Sequence, residues 1–183
     1  MRCIPALTDI EIDFMRESDL RAVMEIERCS FADPWSESAF RQEMKCSHVL
    51  VARHNRVSVA FIIFWIVLDE VHIANFAVSP AYRRRGVGKY LLARSLMYLR
   101  RQGGRKVSLE VRVSNIPAQK LYRQFGFQVA AIRRKYYLNN GEDAYVLCIP
   151  DLTKIDLRLD EGHEGQGERQ GDEGMFHLPA KMI

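Results

Sequence analysis

Apolar residues in this chain follow two spacings, and the alternation between them predicts the elements. Ile12-Asp13-Phe14-Met15 alternates weakly and predicts an edge strand, after a loose lead-in over residues 1–11. Ser18-Asp19 offers a helix N-cap with an acidic first turn. Leu20, Val23, Met24 and Ile26 carry that helix on, Met24 as core filler, until Pro34 stops it. Ser36 can cap a second helix from Glu37 to about Lys45. Val49 to Arg53, Val57 to Leu68 and Val71 to Val78 read as three strands, with His54-Asn55 at the first turn. The unbroken apolar run from Val59 to Leu68 is far too short for a bilayer and reads as a buried strand.

Ser79-Pro80 ends the third of these strands, since proline has no N–H for a ladder. Leu91, Leu92, Ser95, Leu96 and Leu99 then lie at helical spacing, closed by Gln102-Gly103-Gly104. Val107 to Val111 is a strand with Ser108 and Glu110 on one face and Val107, Leu109 and Val111 on the other. A helix opens at Ser114-Asn115-Ile116-Pro117, runs through Leu121, Tyr122 and Phe125, and stops at Gly126. Phe127 to Ile132 is a further strand. Asn140-Gly141 marks a hairpin turn before the closing strand, Ala144 to Ile149.

The stretch between Val78 and Leu91 carries the clearest chemistry. Arg83-Arg84-Arg85-Gly86-Val87-Gly88-Lys89 stands at the head of a helix. The first amides of a helix lack partners within it, and the helix dipole favours negative charge there. Two glycines allow close backbone approach, and the arginines attract anions from a distance. This composition predicts a phosphate or pyrophosphate cradle. A Walker A loop would need glycine at Arg83 and Ser or Thr at Tyr90, and the dinucleotide fingerprint a third glycine at Leu91. What remains is Arg-x-x-Gly-x-Gly after a strand ending in Ala77-Val78.

Composition bounds the rest. At 183 residues the chain suits one domain with a sizeable core. Net charge is +4; the segment from Arg158 onward carries −3, leaving a body at +7 that suits an anionic ligand. The tail alternates Gly with Glu, Asp, Gln and His from about Leu159, a composition that predicts disorder over 159–174. Cys3, Cys29, Cys46 and Cys148 are scattered, which predicts neither a zinc site nor a disulfide framework but reduced thiols in a cytoplasm. No signal peptide is visible, and neither membrane nor direct nucleic-acid partner is expected. His48, His54 and His72 are isolated from one another and read as surface or hydrogen-bonded side chains, not as catalysts or ligands. Phe31-Ala32-Asp33-Pro34-Trp35-Ser36 allows two readings: a loop presenting Phe31 and Trp35 to a substrate, or a turn that packs its indole on the core.

The loop, with the element order strand, two helices, three antiparallel strands, helix, strand, helix, two strands, resembles the GCN5-related N-acetyltransferases over residues 12–152. Phe31-x-x-Pro34-Trp35-Ser36, Leu109-Glu110-Val111-Arg112-x-Ser114-Asn115, Ala118-x-x-Leu121-Tyr122-x-x-x-Gly126-Phe127 and Ile132-Arg133-Arg134-x-Tyr136-Tyr137 match as well. The resemblance implies an α/β fold with a mixed, mostly antiparallel sheet flanked by helices, followed by the acidic tail over 153–183. It implies acetyl-CoA as co-substrate and no metal. The amides of Phe76, Ala77 and Val78 would hold the pantetheine arm and polarise the thioester, and those of Arg84, Arg85, Gly86, Val87, Gly88 and Lys89 the pyrophosphate. It also implies Asn115 as a pantetheine contact, Glu110 as general base and Tyr122 as the acid for the leaving thiolate.

Within the family the likeness is to enzymes acting on protein N-termini, with the N-terminal alanine of ribosomal protein S18 as acceptor. Phe31, Trp35, Tyr136 and Tyr137 would line the peptide groove. No cysteine neighbours Glu110 or Tyr122 in sequence, so direct transfer in a ternary complex of a monomer is expected, although the fold could bring Cys148 near. The other readings are an acetyltransferase for a lysine, another N-terminus or a small amine; an acetyl-CoA-binding module without turnover; and a basic nucleic-acid-binding domain.

Overall fold

The computed structural model describes residues 9–157. Residues 158–183, with the stretch 159–174 expected to be disordered, and most of the lead-in lie outside the described residues. Strands β1 (Ile10–Phe14), β2 (His48–His54), β3 (Val57–Val67), β4 (Glu70–Val78), β5 (Lys106–Arg112), β6 (Gln128–Tyr137) and β7 (Glu142–Ile149) form one sheet. Their order is β1-β2-β3-β4-β5-β7-β6, antiparallel throughout except for the parallel pair β4–β5. Helices α1 (Leu20–Ser30), α2 (Glu37–Cys46), α3 (Val87–Arg101) and α4 (Ile116–Arg123) flank it.

β3 is apolar without alternation because both of its faces are covered. Ile62 and Phe64 pack with Leu91, Leu92 and Leu96 of α3 on one face. Phe61 and Ile63 pack with Val23 of α1 and Phe40 of α2 on the other. The α3 side of the sheet is closed as far as Leu147 and Ile149 of β7. The core under α1 and α2 stops at Ala77 of β4 and takes in no residue of β5, β7 or β6. That half of the sheet face, bearing Ser108 and Glu110, therefore has no helix over it among the described residues.

A second opening lies within the sheet. β4 and β5 pair only from Glu70↔Lys106 to Ile73↔Leu109. Both strands continue, β4 to Val78 and β5 to Arg112, without pairing further. A parallel pair needs a crossover, here α3, so the α3 N-terminus comes to the C-terminal end of β4. In open parallel sheets ligands bind at that end of the strands.

Several elements differ from the sequence reading. β1 begins at Ile10, which is buried, so the lead-in is shorter than residues 1–11. The first hairpin turns at Asn55 and Arg56, both with positive φ, one residue later than expected. β6 runs five residues past Ile132, and every residue from Gln128 to Tyr136 is exposed. Asp19 does not cap α1. Its carboxylate accepts Nε of Arg53 at 2.8 Å, the hydroxyl of Ser58 at 2.8 Å and the amide of Arg16 at 2.7 Å. At the other end Leu152 and Leu157 join the core, so the domain extends beyond residue 152.

Candidate active site

The loop before α3 is built to receive an anion. The 3₁₀ turn Pro80–Tyr82 delivers it from β4, and Arg84 (φ 59°) and Gly86 (φ 82°) both take left-handed backbone. Glycine tolerates that conformation, and alternating hands turn successive N–H groups toward one side as an anion nest. The first intrahelical bond here is donated by Tyr90 to the carbonyl of Gly86, leaving the amides of Val87, Gly88 and Lys89 without helical acceptors. Gly88 is closely approached: a Cβ there would lie 3.2 Å from Val78 Cγ2, a tight contact, and 3.7 Å from Phe76 and Leu121 atoms. Arg84, Arg85 and Lys89 make no ion pair among the described residues. Arg85 lies over the Tyr82 ring, 5.7 Å from its centroid. Arg83 is spent on the scaffold, donating to the carbonyl of Val78 and the hydroxyl of Ser30, both at 3.0 Å. Val87 is buried, so only its backbone can meet a ligand.

Beside the cradle, β4 passes Phe76, Ala77 and Val78 along the gap that β5 leaves. Alternate residues of a strand present their N–H and C=O to opposite sides. Part of this segment's backbone therefore faces the gap without a strand partner. Phe76 and Val78 pack toward α3, Ala77 toward α1.

Glu110 sits across the gap, on the uncovered face. Its side chain is 8% exposed, with Oε2 3.1 Å from Nε2 of His72 on β4 and Oε1 3.2 Å from Nη1 of Arg133 on β6. The His72 hydrogen bond, aided by the charge of Arg133, holds the carboxyl below the ordinary glutamate range although burial opposes this. Glu110 is thus ionised at neutral pH. It does not pair with Arg112, whose guanidinium lies 3.7 Å from the Tyr137 ring centroid and 3.0 Å from Glu142. His72 is hydrogen-bonded, as the sequence reading expected of it. Its isolation in the chain concealed that β4–β5 register sets it opposite Ser108, whose Oγ lies 3.2 Å from Nδ1.

Tyr122 lies on the α4 side of the gap, buried against Phe76 and Phe127. Burial pushes its phenol well above the ordinary range, and Tyr137 adds to the shift. Tyr137 is itself pushed up to about 12, mainly by burial, with Glu110 among the charges that contribute. Asn115 caps α4, its Oδ1 accepting the amide of Ala118 at 3.2 Å. Gln119, unremarked in the sequence, fixes this corner by donating to the carbonyls of Arg112 and Val113.

The two sides of the uncovered face carry the aromatic candidates. Trp35 packs beside Phe40, its amide donating to Glu27 Oε1 at 2.9 Å. The indole thus leans on the core, while Phe31 is 37% exposed. Glu27 is buried and also accepts Nδ2 of Asn75 at 3.1 Å, tying the Trp35 loop to β4. Burial pushes this carboxyl above the ordinary range. On the far side Tyr136 and Tyr137 meet edge to face at 5.2 Å, with Arg133 5.5 Å from the Tyr136 centroid. A register shift between Arg133 and Tyr137 and a left-handed Lys135 re-aim this end of β6. Cys148, half-buried, stands opposite Ser108 and therefore shares the face of Glu110, while Val146 stands opposite Glu110 itself. Among the described residues no group of three or more His, Cys, Asp or Glu could hold a metal ion, and no helix is long and apolar enough to cross a membrane.

Known proteins similar to this chain share one family. The family model described as the acetyltransferase (GNAT) family matches residues 20–127. The ribosomal protein bS18-alanine N-acetyltransferase of Escherichia coli is 37% identical over 143 residues, 76% of this chain and 96% of that protein. The N-alpha-acetyltransferase RimI of Mycobacterium tuberculosis is 34% identical over 146 residues, 75% of this chain and 90% of its own. The crystal structure of the Escherichia coli S18-alanine enzyme superposes with a TM-score of 0.72 at 36% identity, covering 78% of this chain and 94% of that one.

Proposed function

The chain belongs to the GNAT family and is an N-acetyltransferase, and from that premise we propose that it transfers acetyl from acetyl-CoA to the N-terminal α-amino group of a protein, the alanine of ribosomal protein S18. The observation that carries the acceptor is the likeness to the Escherichia coli relative, 37% identical over 96% of its length. The donor rests on the cradle: left-handed Arg84 and Gly86, a closely approached Gly88, and three helix-start amides suit a pyrophosphate.

The residues then divide the work. The amides from Arg84 to Lys89 hold the pyrophosphate, and Asn115 and the open edge of β4 at Phe76 to Val78 hold the arm, fixing the thioester in the gap. Phe31, Trp35, Tyr136 and Tyr137 border the peptide. Glu110, ionised, draws the ammonium in and receives its proton, directly or through a water. Tyr122 stays protonated over the whole working range and offers its O–H to the departing sulfur. Full transfer to a thiolate, ordinarily near pKa 8.5, is uphill for a phenol raised this far. Its first effect is therefore to stabilise charge on sulfur, the proton following as the bond breaks.

The acceptor class fits this weak base. An α-amine titrates near about 7.7–8.0 and is roughly a tenth neutral at pH 7, whereas a lysine near about 10.4 is neutral in fewer than one molecule in a thousand. Transfer is direct: the residue opposite Glu110 is Val146, and Cys148 is displaced toward Ser108.

The test is mass spectrometry of two peptides incubated with the protein and acetyl-CoA. One has a free N-terminal alanine and an internal lysine; the other has the same sequence with its N-terminus blocked. One acetyl on the first, at the N-terminus, none on the second and an unchanged protein mass are expected. Acetyl on the lysine of the blocked peptide overturns the acceptor, and an acetylated protein intermediate overturns direct transfer.

A further inference from the structure

Glu27 takes no part in the chemistry described so far, yet its carboxylate is enclosed, the residue being 1% exposed. It stands in the last turn of α1, and its two oxygens take donors from two different parts of the site. Oε1 accepts the backbone N–H of Trp35 at 2.9 Å, and Oε2 accepts Nδ2 of Asn75 at 3.1 Å. A carboxylate only accepts, so it serves both donors at once. Burying it carries a desolvation cost that apolar packing at the same place would not. Packing alone therefore does not account for an acid here.

The Asn75 end of this link lies at a bulge in β4. Ile63 of β3 pairs with Asn75 and Phe64 pairs with Ile73, which leaves Ala74 as an extra residue. Ile73 packs on the α3 side of the sheet. Strict alternation would send Asn75 to that side as well, away from α1. The bulge re-aims it, so that Asn75 reaches Glu27 while Phe76 and Val78 return to the α3 side. The pairing of β4 with β5 ends at Ile73, so the bulge opens the stretch of free backbone at Phe76 to Val78. The Trp35 end belongs to the connection between α1 and α2, on which Phe31 stands exposed.

From this arrangement we infer that Glu27 is a positioning residue for the acceptor: its carboxylate joins the loop 31–35 to the β4 bulge and so sets where the peptide's amine stands relative to the thioester. The inference rests on the proposed reading in which this loop borders the peptide and the open edge of β4 holds the pantetheine arm. Arg83 bridges Ser30 and the Val78 carbonyl without Glu27, so the end of α1 stays beside β4 when the carboxylate link is cut. What is lost is the placement of the loop, and a misplacement of about 1 Å can cost roughly 10²-fold in rate. The pyrophosphate cradle lies beyond Val78 and makes no use of the link.

The experiment is initial-rate kinetics with the peptide bearing a free N-terminal alanine, at saturating acetyl-CoA, with calorimetric acetyl-CoA affinity alongside, for wild type, Asn75→Ala, Glu27→Ala and Glu27→Gln. The two alanine variants should lower kcat/KM by about 10²-fold, about tenfold of it as a rise in peptide KM, with acetyl-CoA affinity within about twofold of wild type. A purely structural loss would instead shrink the folded fraction and lower kcat at constant KM. Glu27→Gln should recover most of the loss, since its oxygen can accept Trp35 N–H while its amide donates to Oδ1 of a turned Asn75. An unchanged peptide KM in both alanine variants overturns the role of Glu27 and leaves the acceptor reading in place. So does an acetyl-CoA affinity that falls in step with KM, or a glutamine as damaging as alanine. A wild-type protein that leaves the peptide's N-terminus unmodified overturns the acceptor reading, and this inference with it. If the alanine variants do not fold, amide hydrogen exchange of the wild-type protein decides. The Trp35 N–H should be protected and should slow further when peptide binds; a rate unmoved by peptide overturns the inference.

Discussion

Replacing Glu110 by glutamine separates chemistry from scaffold. The substitution keeps shape and removes one charge. Its structural cost is small on both sides of the carboxylate. Arg133 is 55% exposed, so its pair with Glu110 is screened by water and contributes less than about 1 kcal/mol. His72 keeps a partner, since a glutamine oxygen still accepts from Nε2. A domain of this size shifts by roughly 2–4 °C per kcal/mol, so the melting temperature should fall by no more than that. The catalytic cost is of another order. A positioned base contributes about 10²–10⁴-fold, equivalent to roughly 2.7–5.4 kcal/mol of barrier. Initial rates of thiol release with a peptide acceptor, calorimetric acetyl-CoA affinity and a thermal melt read the three quantities separately. The sign with pH follows from the depressed carboxyl. Its stabilising contribution is present above its unfolded titration and lost as pH falls through the lower, folded one. The stability gap between wild type and variant should thus be flat at neutral pH and close in acid. A loss of turnover below tenfold at pH 7, with acetyl-CoA still bound, would refute the assignment.

Three further changes probe other parts of the site and its support. Gly88→Ala places a methyl 3.2 Å from Val78 Cγ2, and the helix-propensity gain of up to about 1 kcal/mol offsets the crowding. Stability should hold while acetyl-CoA affinity drops at least tenfold, or about 1.4 kcal/mol; an unchanged calorimetric Kd contradicts the cradle. Tyr122→Phe keeps the contacts with Phe76 and Phe127 and removes only the donor. It should slow transfer by about 10²-fold at unaltered acetyl-CoA affinity, and an unaffected rate removes Tyr122 as the acid. Asp19→Asn leaves the Arg53 guanidinium, 9% exposed, facing a neutral partner. That should cost about 3 kcal/mol, visible as a lower urea midpoint, and a midpoint equal to wild type would show that Asp13, 3.5 Å away, suffices for the charge.

What the sequence revealed and what it hid divide along a physical line. Signals carried by neighbouring residues were legible. Ser36 caps α2 as expected, Asn115 caps α4, and the alternation of Val107, Leu109 and Val111 with Ser108 and Glu110 was read on the correct faces. The loop at Gly86 and Gly88 was legible because positive φ and close approach leave few choices of residue. Signals that depend on a partner far along the chain were not. Asp19 looks like a cap until Arg53, 34 residues on, takes its carboxylate. The end of β6 has no apolar period because an edge strand exposed on both faces has no reason to alternate, so the expected strand stopped at Ile132.

The candidate site belongs mostly to the second class, and this is a consequence of the topology. Glu110 is flanked by a histidine from β4 and an arginine from β6, which are parallel and two-removed neighbours in the sheet, not sequence neighbours. The parting of β4 from β5 after Ile73 has no local signature either, yet it frees the backbone at Phe76 to Val78 and brings the α3 and α4 ends to one space. Insertion of β7 between β5 and β6 then spaces Glu110 from the far wall, so that Tyr137 reaches back over Arg112 instead of lying directly beside Glu110. A lone histidine in a strand is usually bland. His72 differs because the four residue pairs joining β4 to β5 fix its register on Ser108 and bring it to Glu110, and one residue of slip would turn it to the α3 side.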